Sequence, residues 1–168
     1  MTEPEPDDIP APMLRSLQVV VCAMVVGVFA FAIVLAVVRS QRGKQAIDNG
    51  LLLSYQASGA AALVLILRPV VLRVMTATGR KRLAAQRPVT AAQLMQLMTN
   101  RTIVGAALLE GAAFYLLVAY LVEGHPWALG EGLAVGGLLA ALQFPTRARA
   151  ETALAADREA IEGEQAAV

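Results

Sequence analysis

One carboxylate, Glu110, stands in the middle of the apolar run AALLEGAAFY at residues 106–115. At membrane depth an acid pairs with a cation, keeps its proton, or exchanges that proton as part of ion translocation. Counted from Thr102, where the apolar run begins, Glu110 lies about 12 Å in at roughly 1.5 Å per residue, near the middle of a hydrocarbon core about 30 Å thick. Its side chain is therefore expected to be buried in the protein interior and protonated. Arg68, in LILRPVV, is one candidate partner, and Pro69 beside it removes a backbone donor and frees a carbonyl. Arg68 falls near the far end of its own apolar segment, which favours a side chain that reaches outward to the interface. Tyr115 is a second candidate neighbour of the acid.

Other chemistry-bearing residues are sparse. Glu123, His125 and Glu131 can be drawn as a metal site, but the chain has a single histidine and loop charge is the simpler expectation, so no metal is assigned. The single cysteine, Cys22, sits in an apolar run and can form neither an intrachain disulfide nor a structural zinc site. No nucleophile–base pair and no phosphate-binding loop is present, so neither catalysis nor a cofactor is expected. A net charge of +1 provides no global field for nucleic acid.

The elements that must position Glu110 follow from composition. Of 168 residues, 57% are hydrophobic and only 16% charged. Mean hydropathy is +0.60, well above the balance of a soluble domain. Apolar segments run over about 17–38, 51–75, 102–122 and 127–144, and no period-two alternation interrupts them. Each approaches the roughly 17–25 residues that a crossing requires, and helices are the open form that lipid admits. The expected fold is all-α, a polytopic transmembrane four-helix bundle over 13–145. An acidic, proline-rich tail at 1–12 reads as disordered, without the basic start of a signal peptide.

Four crossings place both termini and the segment 76–101 on one side, with Arg15, Arg73, Arg80, Lys81, Arg82, Arg87, Arg101, Arg147 and Arg149. Arg39, Arg42 and Lys44 fall on the other. The positive-inside rule then puts both termini in the cytoplasm of a cell membrane. Within the linker 76–101, Thr90 followed by Gln93 forms a capping-box pattern that predicts a helix start. The tail 146–168 is rich in helix formers, with Arg147 and Glu151 four residues apart, and is expected to be a charged, solvated helix.

Small residues mark packing faces. In the fourth segment Ala128, Gly132, Gly136 and Ala140 recur every four residues, and Ala107 and Gly111 do so in the third. In lipid, such stripes let helix backbones approach. They serve either packing within one chain or pairing between chains, as a homo-oligomer or within a larger membrane complex.

The stretch RTIVGAALLEGAAFYLLVAYL resembles the carboxylate-bearing helix of subunit c of rotary F-type ATP synthases. Ala107, Glu110, Gly111, Tyr115, Leu117 and Val118 stand where that family places its small residues, ion-carrying acid, tyrosine and apolar run. Gln86, Arg87 and Pro88 resemble the family's polar cytoplasmic loop. The likeness spans about residues 55–122. It implies that Glu110 is a proton carrier, and Gly111, where sodium-binding members tend to have a hydroxyl, implies protons over sodium. The second segment has ASGAAA in place of the family's repeated glycines, and two further segments flank the hairpin. Two readings stand: a structural or accessory membrane subunit with a buried, protonated Glu110, and a proton-translocating, subunit c-like element.

Overall fold

The computed structural model describes residues 11–42, 51–86 and 89–166. The first ten residues, Lys44, Arg87 and Pro88 lie outside the described residues, as does the side chain of Arg42. The described chain is helical throughout, with no strand among the described residues: α1 (Ala11–Arg42), α2 (Leu52–Ala84), α3 (Ala91–Glu123), α4 (Pro126–Gln143) and α5 (Arg147–Ala166). Three helices, α1, α2 and α3, are long and apolar enough to cross a membrane. A fourth is counted when α4 and α5 are taken together as one broken span.

The helices outrun the apolar segments. Positions 11 and 12, expected in the tail, are the start of α1. Proline is tolerated in a first helical turn, because the donor it lacks has no partner there. Most of the expected linker 76–101 is also helix, since α2 runs to Ala84 and α3 begins at Ala91. Once nucleated, a helix propagates through Arg, Lys, Leu and Ala at little cost. The capping box at the start of α3 forms as expected. Gln93 N donates to Thr90 Oγ1 (3.4 Å), and Thr90 N donates to Gln93 Oε1 (2.9 Å). Pro69 sits inside α2, which continues through it.

The chain divides into two units. The first takes residues 1–20, 70–104 and 145–168, the second 21–69 and 105–144. In the second unit, named contacts give the direction of each helical segment. Phe31 meets Phe114 edge to face, with ring centroids 5.2 Å apart, and Arg39 reaches the carbonyl of Leu121, so α1 and α3 run parallel. Tyr55 meets Trp127 and Ser58 meets Glu131, so α2 and α4 are also parallel. Glu123 binds the start of α2, and Gly132 packs on Leu117 while Gln143 reaches back to Gly105, so α3 runs against both α2 and α4.

The core of this unit is made largely of small side chains. Ala57 and Ala61 of α2 join Ala106, Ala112, Ala113 and Ala119 of α3 in one buried cluster, together with Leu109, Leu116, Leu117 and Leu139. Of the most apolar stretch of α3, 50% is buried, against 22% for α1 and 11% for α2, which makes α3 the most enclosed of the three. The remaining faces of α1 and α2 carry exposed valines, leucines and isoleucines, such as Val26, Ile33, Leu63 and Ile66. In water a continuous apolar surface of this kind is costly, whereas lipid accepts it.

The small-residue stripe of α4 packs as read. Ala128, Gly132 and Gly136 are buried and Ala140 is half-buried. A Cβ at Gly136 would stand 2.9 Å from Val28 Cγ1, and one at Gly132 would stand 3.0 Å from Leu117 Cδ2. The stripe of α3 does not pack within the chain. Ala107 and Gly111 are exposed, and nothing lies within 4 Å of a Cβ built at Gly111. The buried small residues beside that stripe are instead Gly105, Ala106, Ala112 and Ala113, because α3 carries small residues on every side. Gly136→Ala is expected to cost about 1–2 kcal/mol, since β-branched Val28 has little rotamer freedom to yield. Gly137→Ala, where a Cβ meets nothing within 4 Å, is expected to be neutral or mildly stabilising. Thermal unfolding of the two variants in detergent, side by side, measures the difference.

The first unit is charged. α5, expected as a solvated tail, buries Ala150, Asp157 and Ile161. Asp157 is 1% exposed and accepts from Arg80 through Nε (2.9 Å) and Nη2 (2.5 Å). Arg101 Nη1 lies 4.0 Å from the other carboxylate oxygen. The two guanidinium groups offset the cost of desolvating that carboxylate, and their contacts with it tie α5 to α2 and α3. The pair Arg147–Glu151 forms at 2.8 Å on the exposed side of α5, where such a contact contributes little.

Candidate functional site

Glu110 lies at the edge of the buried face of α3. Its wheel neighbours Ala106, Ala113 and Leu117 are buried, while Ala107 and Ile103 on its other flank are exposed. The carboxyl points along the α1–α3 seam toward Gly27, where a Cβ would stand 4.0 Å from Glu110 Oε1. One helical turn further along, the Phe31–Phe114 pair closes the same seam. The acid is half-buried and has no hydrogen bond or ion pair among the described residues.

Neither proposed neighbour joins it. Tyr115 is on the outer face, as five residues of helix turn through about 500°, which leaves the two side chains about 140° apart. Arg68 is engaged elsewhere. In the orientation that satisfies both groups, the Gln143 carboxamide oxygen accepts from Arg68 Nε (3.2 Å) and from Arg68 Nη2. Gly105 makes the room, for a Cβ there would come within 2.5 Å of the Gln143 carboxamide. Arg68 is therefore a helix-to-helix connector between α2 and α4, and does not neutralise Glu110.

The acids near the other ends of α3 and α4 are also structural. Glu123 is 4% exposed, far from the solvated loop charge expected of it. Its carboxylate accepts from the backbone of Leu53 (2.6 Å) and Ser54 (2.8 Å), the free amides that open α2. An anion at that position satisfies two orphan donors and sits at the positive end of the helix dipole. Arg39 performs the reverse task at the end of α3, donating to the carbonyl oxygens of Leu121 (3.1 Å) and Glu123 (3.5 Å). Gly124 follows at φ +79, and a Cβ there would collide with the Arg39 guanidinium. Glycine is required at this position both by conformation and by space. Glu131 accepts from Ser58 Oγ at 2.5 Å, which joins α4 to α2.

The candidate site is thus one carboxyl, Glu110, without a hydrogen bond among the described residues, in a unit where the other two described acids, Glu123 and Glu131, both have donors. A carboxyl so placed can hold or exchange a proton. Sequence reasoning missed Gly27 as its facing residue, and missed Glu123, Gln143 and Asp157 as connectors. The run EGHP at 123–126 carried a signal, since glycine one position past a helix end, followed by proline, marks a C-terminal cap.

Comparison with known protein families, with curated proteins and with solved structures finds no match to this chain.

Proposed function

We propose that this chain is a small multi-pass membrane protein, a structural or accessory subunit, whose α3 presents a protonated Glu110 to a neighbouring helix in the bilayer. The observation that carries this reading is the half-buried carboxyl without a partner in the middle of the most enclosed helix. An ionised acid left unpaired there would be strongly disfavoured, whereas a neutral carboxyl can donate a hydrogen bond to a second membrane segment.

In this reading α4 is the fourth crossing. Its 18 residues extend about 27 Å, close to the thickness of a hydrocarbon core. α5 lies outside the lipid, as its charged residues and the pair Arg147–Glu151 favour. Both termini are then cytoplasmic. Arg39, which counted against that orientation as an outer-side charge, is committed to capping α3. It weighs less than a free loop cation in the positive-inside balance.

A second reading, proton translocation with Glu110 as carrier, is favoured by one feature. The acid faces a glycine, where an added Cβ would stand 4.0 Å from its Oε1, so no side chain on that side crowds the carboxyl. Dicyclohexylcarbodiimide, which attacks protonated carboxyls in apolar surroundings, separates the two. For an accessory subunit, Glu110 is expected to be labelled in purified protein, with labelling that declines as pH rises, and to be protected in native membrane where a partner covers it. Glu110→Gln should abolish the label. Equal labelling in native membrane, together with loss of proton flux in labelled proteoliposomes, would establish the carrier instead. Purified protein that stays unlabelled even at acidic pH would remove both.

A further inference from the structure

The first unit holds a basic cavity that Glu110 chemistry does not involve. It has a volume of about 400 Å³ and is lined by Leu72, Arg73, Thr76, Ala77, Arg80 and Arg101. Arg73, Thr76, Ala77 and Arg80 are spaced i, i+3, i+4 and i+7, so they share one face of α2, and Arg101 comes from α3. Three guanidinium groups thus surround one space, and no carboxylate is among its lining residues.

The charges there are not balanced by the protein. Asp157 is the acid that meets them, and its hydrogen bonds go to Arg80 through a single oxygen, Oδ1. The other oxygen, Oδ2, is buried without a hydrogen bond, and Arg101 stays 4.0 Å from it. Arg101 therefore does not spend its donors on Asp157. Arg73 is exposed and has no hydrogen bond or ion pair among the described residues. Thr76 uses its hydroxyl proton on the carbonyl of Leu72 (2.7 Å). Three positive groups against one carboxylate leave two formal charges unmatched. Arg80 is fixed in place by Asp157, Arg73 has a free planar donor fork, and Arg101 meets Asp157 only through an ion-pair contact at 4.0 Å that leaves its hydrogen-bond donors available. Planar forks of this kind match the oxygens of phosphate.

We propose that this cavity binds a phosphate group, either as the free ion or as the headgroup phosphate of an anionic lipid. Its place on α2 suits both sources. Leu72 and Ala77 give an apolar floor for the carbon next to a headgroup, and the lining begins where α2 passes from apolar to basic sequence, at RVMTATGRKR. Basic pockets between helices at the cytoplasmic side of a membrane are suited to anionic headgroups for the same reason. Asp157 is a positioning residue here: it holds Arg80 and does not touch the anion.

The test uses the full chain, purified in a neutral detergent. Native mass spectrometry after incubation with phosphatidylglycerol or phosphatidylcholine reads the lipid source, and the thermal midpoint during titration with inorganic phosphate, against chloride at equal ionic strength, reads the free ion. The binding variant is Arg73→Gln with Arg101→Gln, which spares the Arg80–Asp157 pair. The control is Arg82→Gln with Arg147→Gln, which removes the same charge from residues outside the cavity. Wild type and control are expected to retain phosphatidylglycerol over phosphatidylcholine, or to be stabilised by phosphate over chloride, and the binding variant to lose at least tenfold in apparent affinity. A response to the lipid alone assigns the headgroup, and a response to phosphate with displacement of the lipid assigns the phosphate group itself. Equal loss in both variants would show that general surface charge, not the cavity, is responsible. That outcome, or no selective binding by wild type, would overturn the proposal.

Discussion

Asp157→Ala is expected to release α5 from α2 and α3. The carboxylate is 1% exposed, and it is the acid that Arg80 meets at 2.5 and 2.9 Å. Its removal leaves two partly buried guanidinium groups without their shared counter-charge. Breaking a fully buried pair from one side costs about 3–5 kcal/mol, because the remaining charge is uncompensated. Arg80 and Arg101 each keep 28% side-chain exposure and can turn toward water, so about 2–3 kcal/mol is the expected loss. The loss should be local to the first unit. Hydrogen exchange is expected to rise across residues 150–163, with little change in α3 near Leu116. Asp157→Asn should recover only part of the stability, since a carboxamide keeps one acceptor oxygen but not the charge. Unchanged exchange in α5 for the alanine variant would show that Ile161 and Ala150 hold the helix alone.

The second large effect is expected at Glu123. Glu123→Leu removes the acceptor for the amides of Leu53 and Ser54, at 2.6 and 2.8 Å, and leaves one donor half-buried and the other buried. A hydrogen bond to a charged group contributes about 1.5–3 kcal/mol, and a buried donor left without a partner carries its full desolvation cost. Some of this is recovered when the start of α2 frays toward solvent, but a clear fall in thermal midpoint is expected. Glu123→Gln should lower it by less, because one oxygen still accepts while the interaction with the helix dipole is lost. The thermal midpoints of the three proteins in detergent should therefore fall in the order wild type, glutamine, leucine. If the leucine variant matched wild type, the opening turn of α2 would have to be satisfied by other groups.

These two carboxylates show why the candidate site was only partly legible in the chain itself. Glu123 and Asp157 looked like loop and tail charge, and both proved to be buried connectors. Glu110 looked like a buried acid in need of a partner, and it is the one that lacks any among the described residues. A carboxylate's partners come from helices far away in sequence, here 69 to 77 residues for Ser54 and Arg80. No local pattern encodes such pairings. The mid-helix depth of Glu110, in contrast, is set by counting along one helix, and that much could be read directly.

Local patterns along the chain were enough to give the set of elements: an all-helical chain, the places of its apolar runs, the capping box at Thr90 and Gln93, and the Arg147–Glu151 contact. All of these depend on residues within about one turn of each other, where propensity, hydropathy and side-chain spacing act without help from the rest of the fold. Which face of each helix turns inward was settled by packing between helices distant in sequence. On α3, Gly105, Ala106, Ala107, Gly111, Ala112 and Ala113 cover nearly the whole circumference with small residues, so composition favours no single face. The choice fell to what the neighbouring helices could fill, which buried Ala106 and Ala113, left Ala107 and Gly111 outside, and placed Glu110 at the edge between them.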